Sequence, residues 1–256
     1  MIVVLGGTTE ANHLLNKIVK LNHPITISTA YKFAEKFIPY HPLIQHINGK
    51  LDLEDLHKLI KSNGAKVVID ATHPYATEIS DKAKKACNKA GVKYIRLSRP
   101  PSNNYDEASE LYRVNSYEEA ADLCCSLGKV IFLAIGSSNA HLFRRHSECA
   151  GRKFYVRILP DVASIERCIA AGFGEDEIIT GIGPFSFEEN RDTWSRLSVD
   201  VVVTKESGVH GGFPEKVRAA SDLGIKVVVV NRPVDEECVI ENIDKVVDIV
   251  KRILAG

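Results

Sequence analysis

Ile2 to Leu5 is an unbroken apolar run, and the two residues after it are glycines. Such a run suits a strand buried on both faces, the situation of a strand inside a parallel sheet. Beyond Gly6-Gly7, Ala11, Leu14, Leu15, Ile18 and Val19 recur at helical spacing and predict a helix with one apolar face. The alternation then repeats. Pro24 to Thr29 reads as a strand. Asp52 caps a helix with Asp55 at its third position and Leu53, Leu56, Leu59 and Ile60 facing inward. Val67 to Asp70 is a third buried strand, a helix runs from about Ala76 to Ala90 and stops at Gly91, and Tyr94 to Leu97 is a further strand. Strands alternating with helices imply a parallel sheet with right-handed crossovers.

The segment from Arg99 to Glu110, RPPSNNYDEASE, is polar and carries two prolines, and it marks the boundary between a domain over 1–110 and a second α/β domain over 111–256. Past it the alternation restarts. Ser116 with Glu119 and Ser186 with Glu189 have the spacing of capping boxes. Val130 to Ile135, Phe154 to Ile158, Ile178 to Thr180, Val201 to Val203 and Val227 to Val230 read as strands, and a last helix covers about Ile240 to Leu254. At 256 residues the chain has room for two domains of ordinary size.

Composition removes several function classes. Lys plus Arg equals Asp plus Glu at 33 each, which argues against a general nucleic-acid binder. No apolar run reaches the length of a membrane span. The first residues form a strand rather than a basic and then apolar leader, so a cytoplasmic protein is expected, as a monomer or small homo-oligomer. The six cysteines (Cys87, Cys124, Cys125, Cys149, Cys168, Cys238) include no C-x-x-C and read as reduced, mostly buried thiols. No metal site is expected, since H-E-x-x-H and paired-cysteine spacings are absent.

In open parallel sheets ligands sit at the carboxyl ends of the strands. Three such ends in the first half carry candidate residues. Gly6-Gly7-Thr8-Thr9-Glu10-Ala11 is a glycine turn into a helix, whose unpaired N–H groups and positive dipole end suit a phosphate. It departs from G-x-G-x-x-G, with Ala11 near the helix start. Ser28-Thr29-Ala30-Tyr31-Lys32 ends the second strand in two hydroxyls and a lysine, without the acid that holds a ribose 2′-hydroxyl in NAD-specific proteins. Such donors suit a 2′-phosphate, hence NADPH rather than NADH. The third end is Asp70-Ala71-Thr72-His73-Pro74-Tyr75-Ala76. Pro74 forces Thr72-His73 to be extended and is placed to start the helix. His73 is either a proton donor or a satisfied structural histidine, and Asp70 either a site residue or the helix cap.

The second half has a similar set. Gly136-Ser137-Ser138, Gly181 to Ser186 with Gly183, Pro184 and Phe185, Thr204-Lys205-Glu206-Ser207-Gly208, and His210-Gly211-Gly212 each follow a strand or open a helix. Glycine turns with N–H donors, together with Lys205, point to a ligand with several carboxylates or phosphates. Arg96, Arg99, Arg157 and Lys205 are the cations expected to pair such groups.

GGTTEA at 6–11, DATHPYA at 70–76, RLSRPP at 96–101, GPFSFEEN at 183–190, TKESG at 204–208 and the glycine pair at 211–212 with the PEKVRAASDLGIKVVVVNRP that follows resemble precorrin-6A reductases of cobalamin biosynthesis, in order over nearly the whole chain. The resemblance implies an α/β fold of two Rossmann-like domains, each a small, mainly parallel sheet flanked by helices, with a cleft between them. It implies NADPH-dependent reduction of a ring double bond, taking precorrin-6A or its cobalt complex to the 6B form. Gly6, Gly7, Thr8 and Glu10 would line the cofactor phosphates, Ser28 to Lys32 would hold the 2′-phosphate, and Asp70 to Tyr75 would lie near the nicotinamide. The second-half loops would face the tetrapyrrole and its carboxylates. For the proton that accompanies the hydride, His73 and Lys205 are the candidate acids, with the substrate's own ring nitrogens or solvent as the alternative sources. Many members carry Gly-Arg where this chain has Tyr31-Lys32, and Val209-His210 separates TKESG from its glycine pair. Other classes share parts of this pattern. A short-chain dehydrogenase would need Tyr-x-x-x-Lys, which is absent, and a methyltransferase an acid at the end of the second strand. A non-catalytic dinucleotide sensor, or a reductase of another small anion, would share the first-half turn.

Overall fold

The computed structural model describes residues 1–98, 110–146, 149–233 and 239–255. Arg99, Cys238 and nearly all of the expected linker lie outside the described residues. The chain divides into two units, Met1–Pro100 with Pro233–Gly256, and Pro101–Arg232.

The first unit is built on β1 (Ile2–Leu5), β2 (Ile25–Thr29), β3 (Ile44–Asn48), β4 (Val67–Asp70), β5 (Lys93–Leu97) and β12 (Val239–Ile240). They form one six-stranded sheet in the order β12-β5-β4-β1-β2-β3, and every pairing is parallel. The unbroken apolar runs have the expected cause. Ile2 and Val4 of β1, with Val67 and Ile69 of β4, face a core shared with α1 (Thr9–Ile18) and α9 (Ile243–Ala255). Val3, Leu5 and Val68 face the other side, against α2 (Leu53–Ser62) and α3 (Thr77–Ala90). Both faces are covered, so each residue of these strands buries its side chain.

The second unit holds β6 (Leu111–Val114), β7 (Val130–Ala134), β8 (Lys153–Ile158), β9 (Ile178–Thr180), β10 (Val201–Lys205) and β11 (Lys226–Val230), in the order β6-β11-β10-β7-β8-β9, again all parallel. Its helices are α4 (Tyr117–Leu127), α5 (Ala140–Arg144), α6 (Val162–Ala170), α7 (Phe187–Arg196) and α8 (Phe213–Asp222). Phe132, Tyr155, Val202 and Val227 join Trp194 of α7 and Val217 of α8 in one core.

The two sheets share a plan, with one exchange. In each, one strand (β1 or β7) lies centrally, with its next two strands in the chain on one side and the two after those on the other. The sixth strand of each sheet lies at an edge, outside this order. β6 directly follows β5 of the first unit but joins β11 of the second. β12 follows β11 of the second unit but joins β5 of the first, with Val239 opposite Arg96 and Ile240 opposite Leu97. The expected second domain over 111–256 is corrected accordingly: Pro233–Gly256 belongs to the first unit. Val246, Val247 and Val250 of α9 pack on Leu14, Leu15 and Ile18, and Lys17 pairs with Asp244 at 2.6 Å.

Other expectations are also corrected. Ile240 lies in β12, and the last helix begins at Ile243. β3, β6 and the short β12 were not foreseen. They are edge strands, and the burial of β3 is mixed along its length rather than continuous. Ser116 accepts from Glu119 N, but the return bond of Glu119 goes to Asn115 N rather than to the cap, whereas Ser186 and Glu189 make the full box. Cys125 and Cys149 are disulfide-bonded, with Cα atoms 5.2 Å apart, against the expectation of reduced thiols; Cys87, Cys124 and Cys168 are free and buried. The end of α4 lies close to the segment after α5, a proximity that spacing along the chain does not reveal. Among the described residues no helix is long and apolar enough to cross a membrane.

A chain ending at Arg232 is expected to uncover the β5 edge and the apolar face of α1. Its first-unit amides should lose hydrogen-exchange protection while those of β7, β10 and β11 keep theirs. Unchanged protection across β1, β4 and β5 would show that the C-terminal segment is dispensable to that unit.

Candidate functional site

In the first unit the parallel register brings the three expected strand ends side by side. Leu5 lies opposite both Ser28 and Asp70. Gly6 N donates to Ser28 O (2.9 Å), and Ala71 N donates to Leu5 O (2.9 Å). The crevice at the carboxyl end of β1 and β4, where the strand order reverses, is where an open sheet of this kind binds its ligand.

The turn after β1 is tight on one side and open on the other. A Cβ on Gly6 would come within 2.8 Å of Ile27 Cδ1, so the backbone there lies flush against β2. Gly7 has φ of 101°, a conformation that favours glycine, and a Cβ there would meet nothing within 4 Å. That open space before the α1 N-terminus is what a phosphate requires. Thr8 is the N-cap: its Oγ1 accepts from Ala11 N (3.1 Å) and donates to Ala71 O (2.7 Å), tying the turn to the β4 loop. Thr9 is exposed. Glu10 is buried in the first turn of α1. An ionised carboxylate only accepts hydrogen bonds, so it suits a hydroxyl rather than a phosphate oxygen.

At the end of β2 the two hydroxyls are buried. Thr29 Oγ1 donates to Tyr31 O (3.2 Å) and lies 2.8 Å from His46 Nε2 on β3. Its hydroxyl is therefore committed to the protein. Tyr31 is half-buried and Lys32 exposed. Because β3 was not foreseen, neither was His46.

Asp70 is not a helix cap. The α3 N-cap is Ala76, which makes no side-chain bond, and Pro74 sits in the turn before the helix rather than at its start. Asp70 instead anchors a buried network. Its Oδ1 accepts from Arg96 Nη1 (2.7 Å), Thr72 Oγ1 (2.6 Å) and Thr72 N (3.0 Å), and its Oδ2 accepts from Tyr94 Oη (2.7 Å). Arg96 also donates to the Thr72 and His73 carbonyls. Arg96 is 3% exposed and Asp70 fully buried, so the guanidinium expected to meet substrate is engaged with the loop. The Tyr94 phenol is pushed well above its usual range, first by burial and then by the Asp70 charge. His73 Nδ1 accepts from Tyr75 N (3.3 Å), which leaves the neutral ring's proton on Nε2.

The second unit gathers its own strand ends at β7, β8, β9 and β10, with the order reversing between β7 and β10. Gly136 has φ of 79° and leads to Ser137, which accepts from Arg167 Nη1 (2.7 Å); Ser138 is exposed. Gly183 and Pro184 are exposed, while Phe185 folds back so closely that a Cβ on Gly181 would lie 2.7 Å from its ring. Gly212, with φ of 68°, backs onto Pro184. The TKESG loop is internally braced. Glu206 pairs with Arg232 and accepts from Gly208 N (3.2 Å), while Ser207 Oγ and Lys216 Nζ both donate to Gly211 O. Thr204 is fully buried beneath this loop. Lys205 is half-buried, and burial pushes its ammonium down to about 8. Sequence reasoning missed Lys216, which braces the Gly211 turn, and Arg167, Asn190 and Arg232, whose roles come from contacts distant in sequence.

The profile of the precorrin-6x reductase family (CbiJ/CobK) matches residues 1–251. A cobalt-precorrin-6A reductase of Methanothermobacter thermautotrophicus is 34% identical, over 99% of this chain and 84% of that protein. One from Salmonella typhimurium is 34% identical over 91% of this chain and 87% of the other. A precorrin-6A reductase of Mycobacterium tuberculosis is 29% identical over 91% and 88%. A solved structure described as CobK precorrin-6A reductase superposes with a TM-score of 0.79 at 23% identity, covering 98% of this chain and 96% of that one, and shows the same fold.

Asp70→Asn is expected to cost about 3–5 kcal/mol in chemical denaturation, because it leaves the Arg96 charge buried without its partner. Tyr94→Phe, which leaves one carboxylate oxygen short of a donor, should cost about 1–3 kcal/mol. Stabilities within error of the parent would mean that the network does not hold the loop.

Proposed function

Because the chain belongs to the precorrin-6x reductase family, we propose that it reduces one ring double bond of a precorrin-6A-type tetrapyrrole with NADPH, giving the 6B form. The observation that carries the cofactor half is the β1–α1 turn, flush at Gly6 and open at Gly7 before a helix N-terminus. The end of β2 itself carries no carboxylate for a ribose 2′-hydroxyl; Tyr31 and Lys32 follow it and His46 lies beside Thr29, which favours a 2′-phosphate. Gly6, Gly7 and the first N–H groups of α1 would hold the pyrophosphate, Glu10 a hydroxyl, and the loop from Asp70 to Tyr75 the nicotinamide end. Bound there, NADPH supplies a hydride.

Reduction also needs a proton at the atom next to the one that accepts hydride. Lys205 is our first assignment for that role. Half-buried at the end of β10, its ammonium is brought to about 8 and gives up a proton more readily than an exposed lysine. His73 is the second, since its Nε2 carries the proton when Nδ1 accepts from Tyr75 N. The two relatives at 34% identity are both named for the cobalt complex, which makes that form the first substrate to test.

Anaerobic incubation with NADPH or NADH and each form of the macrocycle, followed by nicotinamide absorbance, tests the reading. Oxidation of NADPH by one of the two forms is expected, and no oxidation with either would sink it. The ammonium is the donating form, so kcat should fall as pH rises through about 8. Lys205→Met should lower kcat and remove that limb; a retained limb with unchanged kcat would transfer the role to His73, to be tested by His73→Ala.

A further inference from the structure

Arg157 stands near the carboxyl end of β8, opposite Ile179 of β9, and is 7% exposed. Its guanidinium carbon lies 3.9 Å from the centre of the Phe185 ring and 5.2 Å from that of Phe132. One hydrogen bond reaches it among the described residues, from Nη2 to Asn190 Oδ1 at 2.7 Å. Asn190 is itself fixed, since its Nδ2 donates to the carbonyls of Phe185 (3.3 Å) and Ser186 (2.7 Å). A guanidinium has five donors, and a buried one is ordinarily matched to a carboxylate. No carboxylate among the described residues lies within ion-pair distance of Arg157. The field of Glu189 reaches it, but that carboxylate accepts from Ser186 N in the α7 capping box.

The contrast with Arg96 is direct. Both arginines are more than nine-tenths buried near the carboxyl ends of their strands. Arg96 has Asp70 at 2.7 Å, while Arg157 has two aromatic faces and an amide. Burial without an anion drives the Arg157 guanidinium down to about 10. The nitrogens that make no bond are not sealed, for none of them appears among the fully buried unpaired polar atoms. An oriented, desolvated fork with open donors is a preorganised carboxylate receptor, since the cost of stripping water from the cation is already met in the folded state.

Resting on the reading of this chain as a tetrapyrrole reductase, we infer that Arg157 is a dedicated anchor for one carboxylate of the macrocycle. Phe132 and Phe185 hold its plane, and Asn190 is the positioning residue that fixes its rotation. The anion completes an ion pair that the protein leaves half made. Among the cations expected from sequence to meet carboxylates, Arg157 is thereby distinguished from Arg96, whose charge is answered within the protein.

The test uses the whole chain and two corrins with the same ring: dicyanocobyrinic acid, with free carboxylate side chains, and dicyanocobinamide, whose side chains are amides. Binding is read from quenching of Trp194, the single tryptophan, whose ring lies 5.9 Å from that of Phe132. The parent should bind the carboxylate corrin more tightly than the amide. Arg157→Met should weaken the carboxylate corrin by roughly tenfold or more, as expected for losing a charge-assisted hydrogen bond, and leave the amide corrin unchanged. Arg157→Lys, which keeps the charge without the fork, should fall between. Asn190→Ala should show the same selectivity at smaller size. The melting temperature of Arg157→Met should equal or exceed the parent's, because an unpaired buried charge is removed. The proposal is overturned if the parent does not bind the carboxylate corrin, if Arg157→Met binds it as the parent does, or if that variant melts lower and loses both corrins alike. The reductase reading fails separately, when the parent oxidises no nicotinamide with either form of the macrocycle.

Discussion

A parallel strand covered on both faces has no side chain to spare for a ligand. Ile2, Val3, Val4 and Leu5 of β1 are all buried, and so are Val67 to Asp70 of β4 and Val201 to Thr204 of β10. Chemistry in such a sheet is displaced to the residues where the strand stops. The organisation of both units follows from that displacement. Leu5 stops at two glycines, which leave bare backbone at the rim of the sheet. β4 ends in a carboxylate that reaches no solvent and is answered by an arginine and a tyrosine from β5. β10 ends in a lysine only half removed from water. The same burial that fixes the core produces the perturbed groups at its rim, because a charge at a strand end is partly desolvated wherever the sheet places it.

The exchange of sixth strands adds a second constraint. β6 completes the sheet of the second unit and β12 that of the first. Neither strand is apolar enough to nucleate pairing alone: Leu111–Val114 is half-exposed over most of its length, and Val239–Ile240 is two residues long. Each is held by its neighbours. β12 is flanked by α9, whose valines fill the groove beside α1, and β6 by α4, which packs over β11 and β10. The chain thus passes from the first unit to the second and back.

This also explains what could be read from sequence. The central strands and amphipathic helices were legible because continuous or 3.6-spaced apolarity is a local signal, and the capping pairs at Asp52 and Ser186 were local too. The candidate turns at Gly6, Asp70, Gly181 and Lys205 were legible because they follow those strands. What escaped was non-local. Membership of the last helix in the first unit is decided by Val246 and Val250 meeting Leu14 and Ile18, more than 200 positions away in the chain. The Cys125–Cys149 pairing joins residues on either side of β7 and α5. His46 was hidden with its edge strand, and Asn190, on a helix otherwise read as a capped amphipathic turn, gained meaning only from the arginine beneath it.

The two buried arginines show why residue type alone could not assign roles. Both were read as cations free to meet a carboxylate, and both stand near strand ends. Arg96 is surrounded by acceptors of its own chain, so its charge holds the Asp70 to Tyr75 loop in one shape, and removing either partner leaves the other stranded. Arg157 is surrounded by rings and an amide, a setting that orients a cation without neutralising it. A protein selected for stability alone gains little by keeping that charge, because an apolar side chain of similar volume would fill the space between Phe132 and Phe185 without the desolvation cost. The carboxylate proposed to bind at Arg157 would answer that charge from outside the chain. The distinction between a cation that organises a loop and one that receives a ligand therefore lies in whether the surrounding protein has answered the charge.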